Sequence, residues 1–334
     1  MRLLVTGGAG YVGSHMVKAL LRAGHSVLTL DDFSTGRRPE LPGEILVRGS
    51  IADAPLLDAI FGEAPFDAVL HFAARSIVSE STRDPAAYWA SNVGGTLVLL
   101  EAMRRRGVLR LVFSSSAAVY GDCGARPIPE DALRRPVNAY GKTKLAVEHA
   151  LEDWETAYGV RSVRLRYFNA AGADEEGELC ERHQPETHLI PLALQAAAGE
   201  RGPLPLYGED YPTQDGTCVR DYVHVSDLCD AHLLALARLQ SGQSGAAYNL
   251  GNSRGYSVRE VLHAVESVTG MRVPVRKGGR RPGDPAVLVA DSARARRQLG
   301  WRPRHEALGA MIESAWRAMA GHVTPRASAV LSPH

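Results

Sequence analysis

The sequence predicts an α/β fold, a doubly wound parallel sheet of Rossmann type followed by a smaller C-terminal α/β lobe. The first half alternates short apolar runs with amphipathic stretches, the pattern of strands buried on both faces and the helices that connect them. A glycine-rich turn, "TGGAGYVGS", directly follows the first apolar run. Since 334 residues exceed the size at which one hydrophobic core usually stops growing, we expect two closely joined lobes.

The elements of the first lobe follow one another as βα units. The strands are predicted in the runs "RLLVTG", "SVLTLDD", "EILVRGS", "AVLHFA", "LRLVFSSS" and "VRSVRLRYFN". The helices between them are predicted at Tyr11 to Arg22, Pro55 to Phe61, Pro85 to Arg106 and Tyr140 to Tyr158. Gly159 is a plausible stop for the last of these helices, because glycine readily takes the left-handed conformation that ends a helix.

The texture of the sequence changes after Gly172. The stretch "GADEEGELCERHQPETHLIP" is acidic, is interrupted by Gly and Pro, and is too irregular for another βα unit. We therefore expect a first domain of residues 1–171 and a second domain of residues 172–334. Within the second, residues 219–250 are expected to pack back on the first domain.

The second lobe contains two further signals of regular structure. The run "VRDYVHVSDLCDAHLLALARL" predicts a strand followed by a helix from about Asp227 to Leu239. The run "SVRE", Ser257 to Glu260, is a capping box that opens a helix ending near Gly270. The final stretch, "GHVTPRASAVLSPH", has no period and is expected to fray.

The composition excludes several classes of function. With a net charge of +1, the chain gives no indication of nucleic acid or an anionic membrane as a partner. No apolar run approaches the roughly eighteen residues of a membrane span, and the six residues before the glycine turn are too few for a signal peptide. The four cysteines form no CxxC pair and have no histidine at metal-ligand spacing, so we expect no metal, no disulfide framework and a cytoplasmic location. They are Cys123, Cys180, Cys218 and Cys229.

The glycine turn has the features of a dinucleotide site. Gly7, Gly10 and Gly13 follow a strand and open a helix, so backbone N–H groups at the helix N-terminus can approach a pyrophosphate. Asp31 ends the next apolar run, where a carboxylate can accept hydrogen bonds from a ribose and would repel a 2′-phosphate. This favours NAD over NADP. The alternative is that Asp31 and Asp32 only begin a turn.

Tyr140 and Lys144 lie four residues apart in "NAYGKTKLA", so they share one face of the predicted helix. Taken alone, this spacing is more typical of a solvated helix with a partly buried aromatic residue. The strand ending in Ser114, Ser115 and Ser116 supplies partners for the pair, because ligands bind at the carboxyl ends of the strands in doubly wound sheets.

Together these motifs resemble the extended short-chain dehydrogenases/reductases, and most closely the family of UDP-glucose 4-epimerase (UDP-galactose 4-epimerase). The resemblance covers nearly the whole chain, and it implies that the first domain binds NAD and the second a UDP-sugar. It is carried by "VTGGAGYVGSH", "HFAA", "NVGGT", "FSSSAAVYG", "YGKTK", "LRYFNAAGA", "HLIP", "YGEDYPTQDGTCVRDYVHV", "YNLG", "RPGD" and "LGW".

The activity implied by the resemblance is NAD-dependent 4-epimerisation of a UDP-hexose, UDP-galactose or UDP-glucose, through a transient 4-keto sugar. Tyr140 would be the acid/base, Lys144 would hold the cofactor ribose and favour the tyrosinate, and Ser116 would hydrogen-bond the sugar hydroxyl. The chemistry agrees, because a phenol is a base near neutral pH only where nearby positive charge stabilises its anion.

By the same resemblance, further residues line the two pockets. The implied cofactor-binding residues are Gly7, Gly10, Tyr11, Val12, Gly13, Asp31, Ser50, Ile51, Phe72, Ala73, Ala74, Asn92, Tyr140, Lys144 and Tyr167. The implied substrate-binding residues are Ser116, Tyr140, Asn169, His188, Leu189, Tyr207, Arg220, Arg281, Asp284 and Leu288.

Four of the substrate residues have specific implied contacts. Tyr207 would border the uracil, and Asp284 would contact a ribose hydroxyl. Arg220 and Arg281 would contact the diphosphate, for which guanidinium groups have a suitable geometry. The family's dimers imply a homodimer, with the helices Pro85 to Arg106 and Tyr140 to Tyr158 burying a face against a second copy.

The chain departs from the family pattern at several positions. Ser76 stands where a lysine is often found, so a contact to the nicotinamide ribose is missing or replaced. Ser50 replaces the aspartate of "GDI", and Ala118 replaces a threonine. Leu288 stands where family members vary between small residues and tyrosine, which leaves open whether an N-acetylated sugar fits.

Other functions stay open beside the hexose epimerase. A 4,6-dehydratase or a decarboxylase needs an additional acid/base couple where this chain has Ala117 and Ala118. A 4-epimerase for a UDP-pentose or a UDP-N-acetylhexosamine would use the same catalytic residues. A non-catalytic NAD-binding sensor would share the fold, but Ser116, Tyr140 and Lys144 together argue against it.

Overall fold

A parallel sheet of seven strands forms the centre of the molecule. The computed structural model describes residues 1–34, 45–124, 127–243, 245–281 and 284–322. Its strands are β1 Arg2–Thr6, β2 Ser26–Asp31, β3 Leu46–Arg48, β4 Ala68–His71, β5 Arg110–Ser116, β6 Arg161–Tyr167, β7 Asn169–Ala171, β8 Leu204–Tyr207, β9 Val219–His224, β10 Ala246–Leu250, β11 Gly255–Ser257, β12 Val275–Gly278 and β13 Val287–Leu288. The central sheet has the order β10-β6-β5-β4-β1-β2-β3, with parallel pairing throughout.

Helices cover both faces of this sheet, which confirms the doubly wound α/β fold. Leu3 of β1 packs in one hydrophobic cluster with Met16 of the helix that follows β1, while the next residue, Leu4, packs in a second cluster with Leu57 of the helix that follows β3. Alternate side chains of one buried strand thus reach opposite layers of helices. The helices are α1 Tyr11–Arg22, α2 Ala54–Glu63, α3 Val78–Arg83, α4 Pro85–Tyr88, α5 Thr96–Arg105, α6 Ala139–Tyr158, α7 Leu189–Ala197, α8 Val225–Gln240, α9 Val258–Thr269 and α10 Leu308–His322.

The second half of the chain contributes to both parts of the molecule. Strand β10 extends the central sheet beside β6, and helix α8 packs against α1. A smaller sheet forms around β9, which pairs with β7, β11 and β13, and helices α7, α9 and α10 share a separate hydrophobic cluster. Residues 172–188 contain neither helix nor strand. The division into two domains stays a prediction.

Several predicted helix ends are confirmed. Gly159 ends α6 in the left-handed conformation with φ of 71°, and Gly270 ends α9 in the same way with φ of 70°. Ser257 and Glu260 form the predicted capping box at the start of α9. Helix α10 extends to His322, and the rest of the stretch expected to fray lies outside the described residues.

The helix predicted from Pro85 to Arg106 is present, but it is not a regular α-helix along its whole length. Between α4 and α5 the chain forms a π-helical segment, Trp89–Gly95. Within it, the Asn92 side chain is buried and bonds both the N–H and the C=O of Arg75. Gly95 sits where an added Cβ would lie 2.9 Å from Ile51 Cγ1, so the wide turn packs closely on its neighbour.

No described helix is both long and apolar enough to cross a membrane.

Candidate active site

The turn between β1 and α1 depends on its glycines for different reasons. Gly7 has φ of 77°, and a Cβ there would lie 2.4 Å from the Ala73 backbone nitrogen. A Cβ on Gly13 would lie 2.0 Å from the Gly7 carbonyl oxygen, so both positions require glycine for the turn itself. A Cβ on Gly10 would meet only that oxygen, at 3.3 Å, and otherwise open space. Of these three glycines, Gly10 at the N-terminus of α1 therefore has the most room for a side chain.

The N-terminus of α1 suits an anion. Gly10 is its N-cap and gives no side-chain cap, and the first turn contains no acidic residue. The first intrahelical bond runs from the Ser14 N–H to the Gly10 carbonyl at 2.9 Å, so the preceding N–H groups of Tyr11, Val12 and Gly13 have no intrahelical acceptor. Free N–H groups and the positive end of a helix dipole together fit a pyrophosphate.

Asp31 lies against this turn, at the carboxyl end of β2. Its Oδ2 accepts the Ala9 N–H at 2.9 Å, and its Oδ1 accepts the Phe33 N–H at 2.9 Å. Burial raises the pKa of Asp31, while these two N–H groups act in the opposite direction. Each oxygen keeps acceptor capacity for a ribose hydroxyl. The residues present therefore fit the adenosine end of NAD.

The floor of the crevice between β1 and β4 is buried and polar. His71 lies between the hydroxyls of Thr6 and Thr96, with its Nδ1 and Nε2 at 2.6 and 2.9 Å from them. Burial lowers the pKa of His71 to about 3, with the Lys144 charge acting in the same direction. A neutral imidazole therefore underlies the site. The Ala73 N–H donates to the Thr6 carbonyl at 3.0 Å, which fixes the start of the loop after β4.

Ser116, Tyr140 and Lys144 come together at the carboxyl end of β5. Asn138 caps α6 by accepting the Gly141 N–H at 2.8 Å, which sets the orientation of the first helical turn. Ser116 lies beside Tyr140 and acts to lower the pKa of its phenol. Lys144 donates its Nζ proton to the Ser114 carbonyl at 2.7 Å, and this nitrogen lies 5.9 Å from the centre of the Tyr140 ring.

Burial shifts the acidities of Tyr140 and Lys144 in the directions expected of groups removed from water. It raises the pKa of Tyr140, although Ser116 acts in the opposite direction. It lowers the pKa of Lys144 to about 7, although the Glu148 carboxylate raises it. A lysine titrating near neutrality beside a phenol is an arrangement suited to proton transfer.

Glu148 and Arg166 lie beside these residues, and neither was predicted from the sequence. Ser115 donates its hydroxyl proton to Glu148 Oε1 at 2.6 Å, and Arg166 forms a bidentate pair with the same carboxylate at 2.6 and 2.9 Å. The pairing of β5 with β6 places Ser115 beside Arg166. The available signal was the spacing of Glu148, which lies four residues after Lys144 on the same helical face.

The implied diphosphate and ribose residues Arg220, Arg281 and Asp284 are neighbours. Arg220 on β9 forms an ion pair with Asp284 and also donates to the Val219 carbonyl. The Arg281 guanidinium lies 4.0 Å from the centre of the exposed Tyr207 ring. Pro282 and Gly283 of "RPGD" lie outside the described residues.

Leu288 lies between this group and the segment that follows Ser116. It pairs with Arg220 in the parallel register of β13 and β9. It also packs against a hydrophobic cluster that contains Phe168 and Ala117, and Ala117 directly follows Ser116. Leu288 is therefore in a position to affect what the site admits.

The other implied pocket residues have these positions. Tyr167 contacts His232 Nε2 through its hydroxyl at 2.6 Å, and Asn169 donates to the Asp221 carbonyl at 2.9 Å. The Tyr11 hydroxyl donates to the Gly172 carbonyl at 2.6 Å, so its side chain joins α1 to the start of the second lobe. Ser50 and Ile51 follow β3, Phe72 packs over His232, Ala74 follows Ala73 in the loop after β4, and Leu189 begins α7.

His188 has partners that the resemblance did not imply. It occupies the N-cap position of α7 without a side-chain cap bond and forms ion pairs with Glu181 and Glu186, and its ring lies 5.3 Å from that of His183.

Comparison with known proteins gives a consistent result. The chain matches the family described as "NAD dependent epimerase/dehydratase family" over residues 3–251. It is 48% identical over 323 residues to a UDP-glucose 4-epimerase of Lacticaseibacillus casei, a match that covers 96% of this chain and 98% of the relative.

Two solved structures are similar along nearly their whole length. A UDP-glucose 4-epimerase from Brucella ovis in complex with NAD has a TM-score of 0.91 and 46% identity, covering 95% of this chain and 97% of that one. A UDP-glucose 4-epimerase from Bifidobacterium longum in complex with NAD+ and UDP has a TM-score of 0.91 and 36% identity, covering 96% and 99%.

Proposed function

The chain belongs to the NAD dependent epimerase/dehydratase family, and we propose that it interconverts UDP-galactose and UDP-glucose by NAD-dependent epimerisation at C4 of the sugar. The observation that carries this proposal is the meeting of Ser116, Tyr140 and Lys144 at the carboxyl end of β5, beside the crevice formed by the glycine turn and Asp31. When bound, NAD accepts a hydride from C4 and returns it to the opposite face of the resulting 4-keto sugar.

The chain's own residues hold the substrate and move the proton. Tyr140 removes the proton of the 4-hydroxyl, and it returns that proton when the hydroxyl is restored on the other face. Ser116 lies beside Tyr140 and acts on the pKa of its phenol, which supports a role in orienting the same hydroxyl. Protonated Lys144 near the ring stabilises the tyrosinate, and its contact with the Ser114 carbonyl limits its rotamers.

Inversion requires a sugar that can turn while the nucleotide stays fixed. Arg220 and Arg281 are proposed to hold the diphosphate, and Tyr207 the uracil. In support, Arg220 is largely buried and its ion pair with Asp284 limits its rotamers, since its side chain is only 13% exposed. A guanidinium with five N–H donors keeps donors for phosphate oxygens while it binds one carboxylate.

The proposal is tested by replacing Tyr140 with Phe. We expect Tyr140→Phe to lower kcat for UDP-galactose by about 10²- to 10⁴-fold, the usual contribution of a positioned acid/base, with unchanged NAD content. The measurement is a coupled assay for UDP-glucose formation without added reductant. Tyr158→Phe, at the exposed end of the same helix, is the control. Full activity in Tyr140→Phe would sink the mechanism.

The position of Leu288 allows a test of substrate range. If UDP-N-acetylgalactosamine is turned over, Leu288→Tyr should abolish that turnover first and spare UDP-galactose, because the larger ring fills space beside Ala117 and Phe168. The two substrates, together with a UDP-pentose, are assayed side by side. Leu288→Met, which preserves volume, should leave their ratio unchanged. An equal loss of both activities in Leu288→Tyr contradicts this assignment.

The proposal also includes a homodimer and a cytoplasmic location. A homodimer is supported by exposed apolar side chains on neighbouring elements, since Val78 is 43% and Trp89 is 42% exposed. The helices α3 and α4 that carry or flank these residues both contact α6. Free thiols at all four cysteines suit a reducing cytoplasm.

A further inference from the structure

Four side chains of the segment between β7 and α7 converge on one point. They follow one another in "ERHQPETH" as Glu181-x-His183-x-x-Glu186-x-His188. One ligand atom from each lies within 4.8 Å of every other. Three of the four, Glu181, His183 and Glu186, also line a cavity of about 470 Å³ between this segment, α7 and α10.

The ligand atoms are close enough together to share one ion after small side-chain adjustments. A zinc ion with ligands at about 2.0–2.1 Å separates them by about 3.3–3.4 Å. His183 Nδ1 lies 3.0 Å from Glu181 Oε1 and 4.0 Å from Glu186 Oε2. His188 Nδ1 lies 3.4 Å from Glu186 Oε1 and is also paired with Glu181. Both imidazoles therefore present the same nitrogen to the two carboxylates.

The two carboxylates at this point need positive charge, which protonated imidazoles or a bound cation can supply. The Glu181 and Glu186 side chains are only 6% and 7% exposed, and burial of two carboxylates is costly without compensating charge. Among the described residues, their ion-pair partners are these two histidines, with neither lysine nor arginine. The nearby group of Asp174, Glu176 and Glu178 differs, because Lys18 already pairs with all three.

We propose that Glu181, His183, Glu186 and His188 bind one Zn²⁺. Two imidazoles and two carboxylates form a borderline ligand set that suits this ion in tetrahedral geometry, and its charge balances the two carboxylates. The ion would fasten residues 181–188 at the start of α7. Coordination through Nδ1 leaves Nε2 of His188 available to other partners. Of these four residues only His188 is also an implied substrate-binding residue, and the site replaces the expectation of no metal, which rested on cysteine spacing.

Metal content tests the proposal directly. The untagged full-length chain, with its NAD, is equilibrated with Zn²⁺ and separated from free ion, and zinc is measured by mass spectrometry. We expect about one zinc per chain and, with Co²⁺ instead, the visible absorption of a four-coordinate ion. Glu181→Gln and His183→Ala should weaken zinc binding by more than about 100-fold, since even outer-shell changes cost 10–100-fold.

Two matched variants serve as controls. Glu178→Gln removes a carboxylate from the neighbouring acidic group, and His263→Ala removes an exposed histidine of α9. Both should retain the zinc of the unchanged protein. Zinc should also raise Tm in the unchanged protein, and a chelator should reverse the increase.

Several results would contradict the zinc site. Less than about a tenth of a zinc per chain in the unchanged protein, or equal zinc in all four variants, overturns the proposal. If a ligand variant does not fold, the Co²⁺ spectrum of the unchanged protein decides, because a six-coordinate spectrum contradicts the tetrahedral site. NAD content and epimerase activity, measured on the same samples, report separately on the proposed function.

Discussion

Lys144 is a lysine whose burial disfavours the protonated side chain. Its side chain is buried, and burial lowers its pKa to about 7 from the ordinary 10.5. Between these two values the unfolded chain keeps a proton that the folded chain releases. The stability of the folded chain therefore increases with pH across this window, by up to about 1.4 kcal/mol per pH unit from this group.

Removing the charge should remove this pH dependence. We expect Lys144→Met to be at least as stable as the unchanged protein at pH 7.5, and to lack the increase in stability towards pH 9.5. The free energy of unfolding in urea, measured on NAD-free protein at both pH values, checks this. The variant should also be inactive, which is the usual trade between a functional buried charge and stability.

The control is the exposed lysine of the same helix. Lys142→Met should keep the pH dependence of the unchanged protein, because this side chain is in water. If the free energy of unfolding of all three proteins changes equally between pH 7.5 and 9.5, Lys144 keeps its proton in the folded chain and the prediction is wrong.

At the scale of elements, two glycines of the β1–α1 turn are expected to have different roles, Gly13 in folding and Gly10 in cofactor binding. Gly10 has φ of −76° and ψ of 174°, a conformation open to alanine, and an added Cβ would meet only the Gly7 carbonyl oxygen, at 3.3 Å. The Cβ of an alanine at position 13 would instead collide with the backbone of Gly7. Glycines only three residues apart should therefore respond differently to the same substitution.

We expect Gly10→Ala to change the free energy of unfolding by less than about 1 kcal/mol, as at sites without a clash, while weakening NAD binding at least tenfold. Gly13→Ala should destabilise the chain by about 3 kcal/mol or more, because backbone atoms cannot move aside as side chains do. Urea unfolding and NAD titration measure the two effects. A stable Gly13→Ala protein, or full NAD affinity in Gly10→Ala, would contradict this division of roles.

Most elements could be predicted from the sequence because their signals are local. The capping box at Ser257 and the glycines that end α6 and α9 act within one or two turns. The π-helical segment could not be predicted, because its wide turn depends on contacts with Arg75 and Ile51 from other parts of the chain. Local propensity does not distinguish such a segment from a regular helix.

In the candidate site, too, contacts within one helix could be predicted from the sequence, and contacts between distant segments could not. Tyr140 and Lys144 are one turn apart, so their shared face follows from helix geometry. The pairing of Arg220 with Asp284 joins residues 64 positions apart. The bond of Ser115 to Glu148 likewise depends on how α6 lies across the sheet. Contacts of this kind come from tertiary packing, which no short pattern in one sequence determines.

At the scale of the whole molecule, α3, α4 and the segment Trp89–Gly95 form one layer against α6. Tyr88 joins two of these elements by donating its hydroxyl proton to the Ile77 carbonyl at 2.7 Å. The residues next to this bond, Val78 and Trp89, expose large apolar side chains. A rigid layer with exposed apolar groups is the kind of surface that a second copy would cover.

A charge at this surface should prevent the proposed dimer from forming. Trp89→Glu would bury a carboxylate without a partner at the centre of the contact, which should weaken self-association at least about 30-fold, or 2 kcal/mol. Sedimentation equilibrium of the unchanged protein and the variant measures this. Val275→Glu, at an equally exposed apolar position on β12, should leave the dimer intact. A monomeric unchanged protein would contradict the proposed dimer, and a Trp89→Glu variant that dimerises as tightly as the unchanged protein would contradict this interface. Trp89 begins the segment that carries Asn92. NAD retention in the monomeric variant would therefore show whether dimerisation supports the cofactor site.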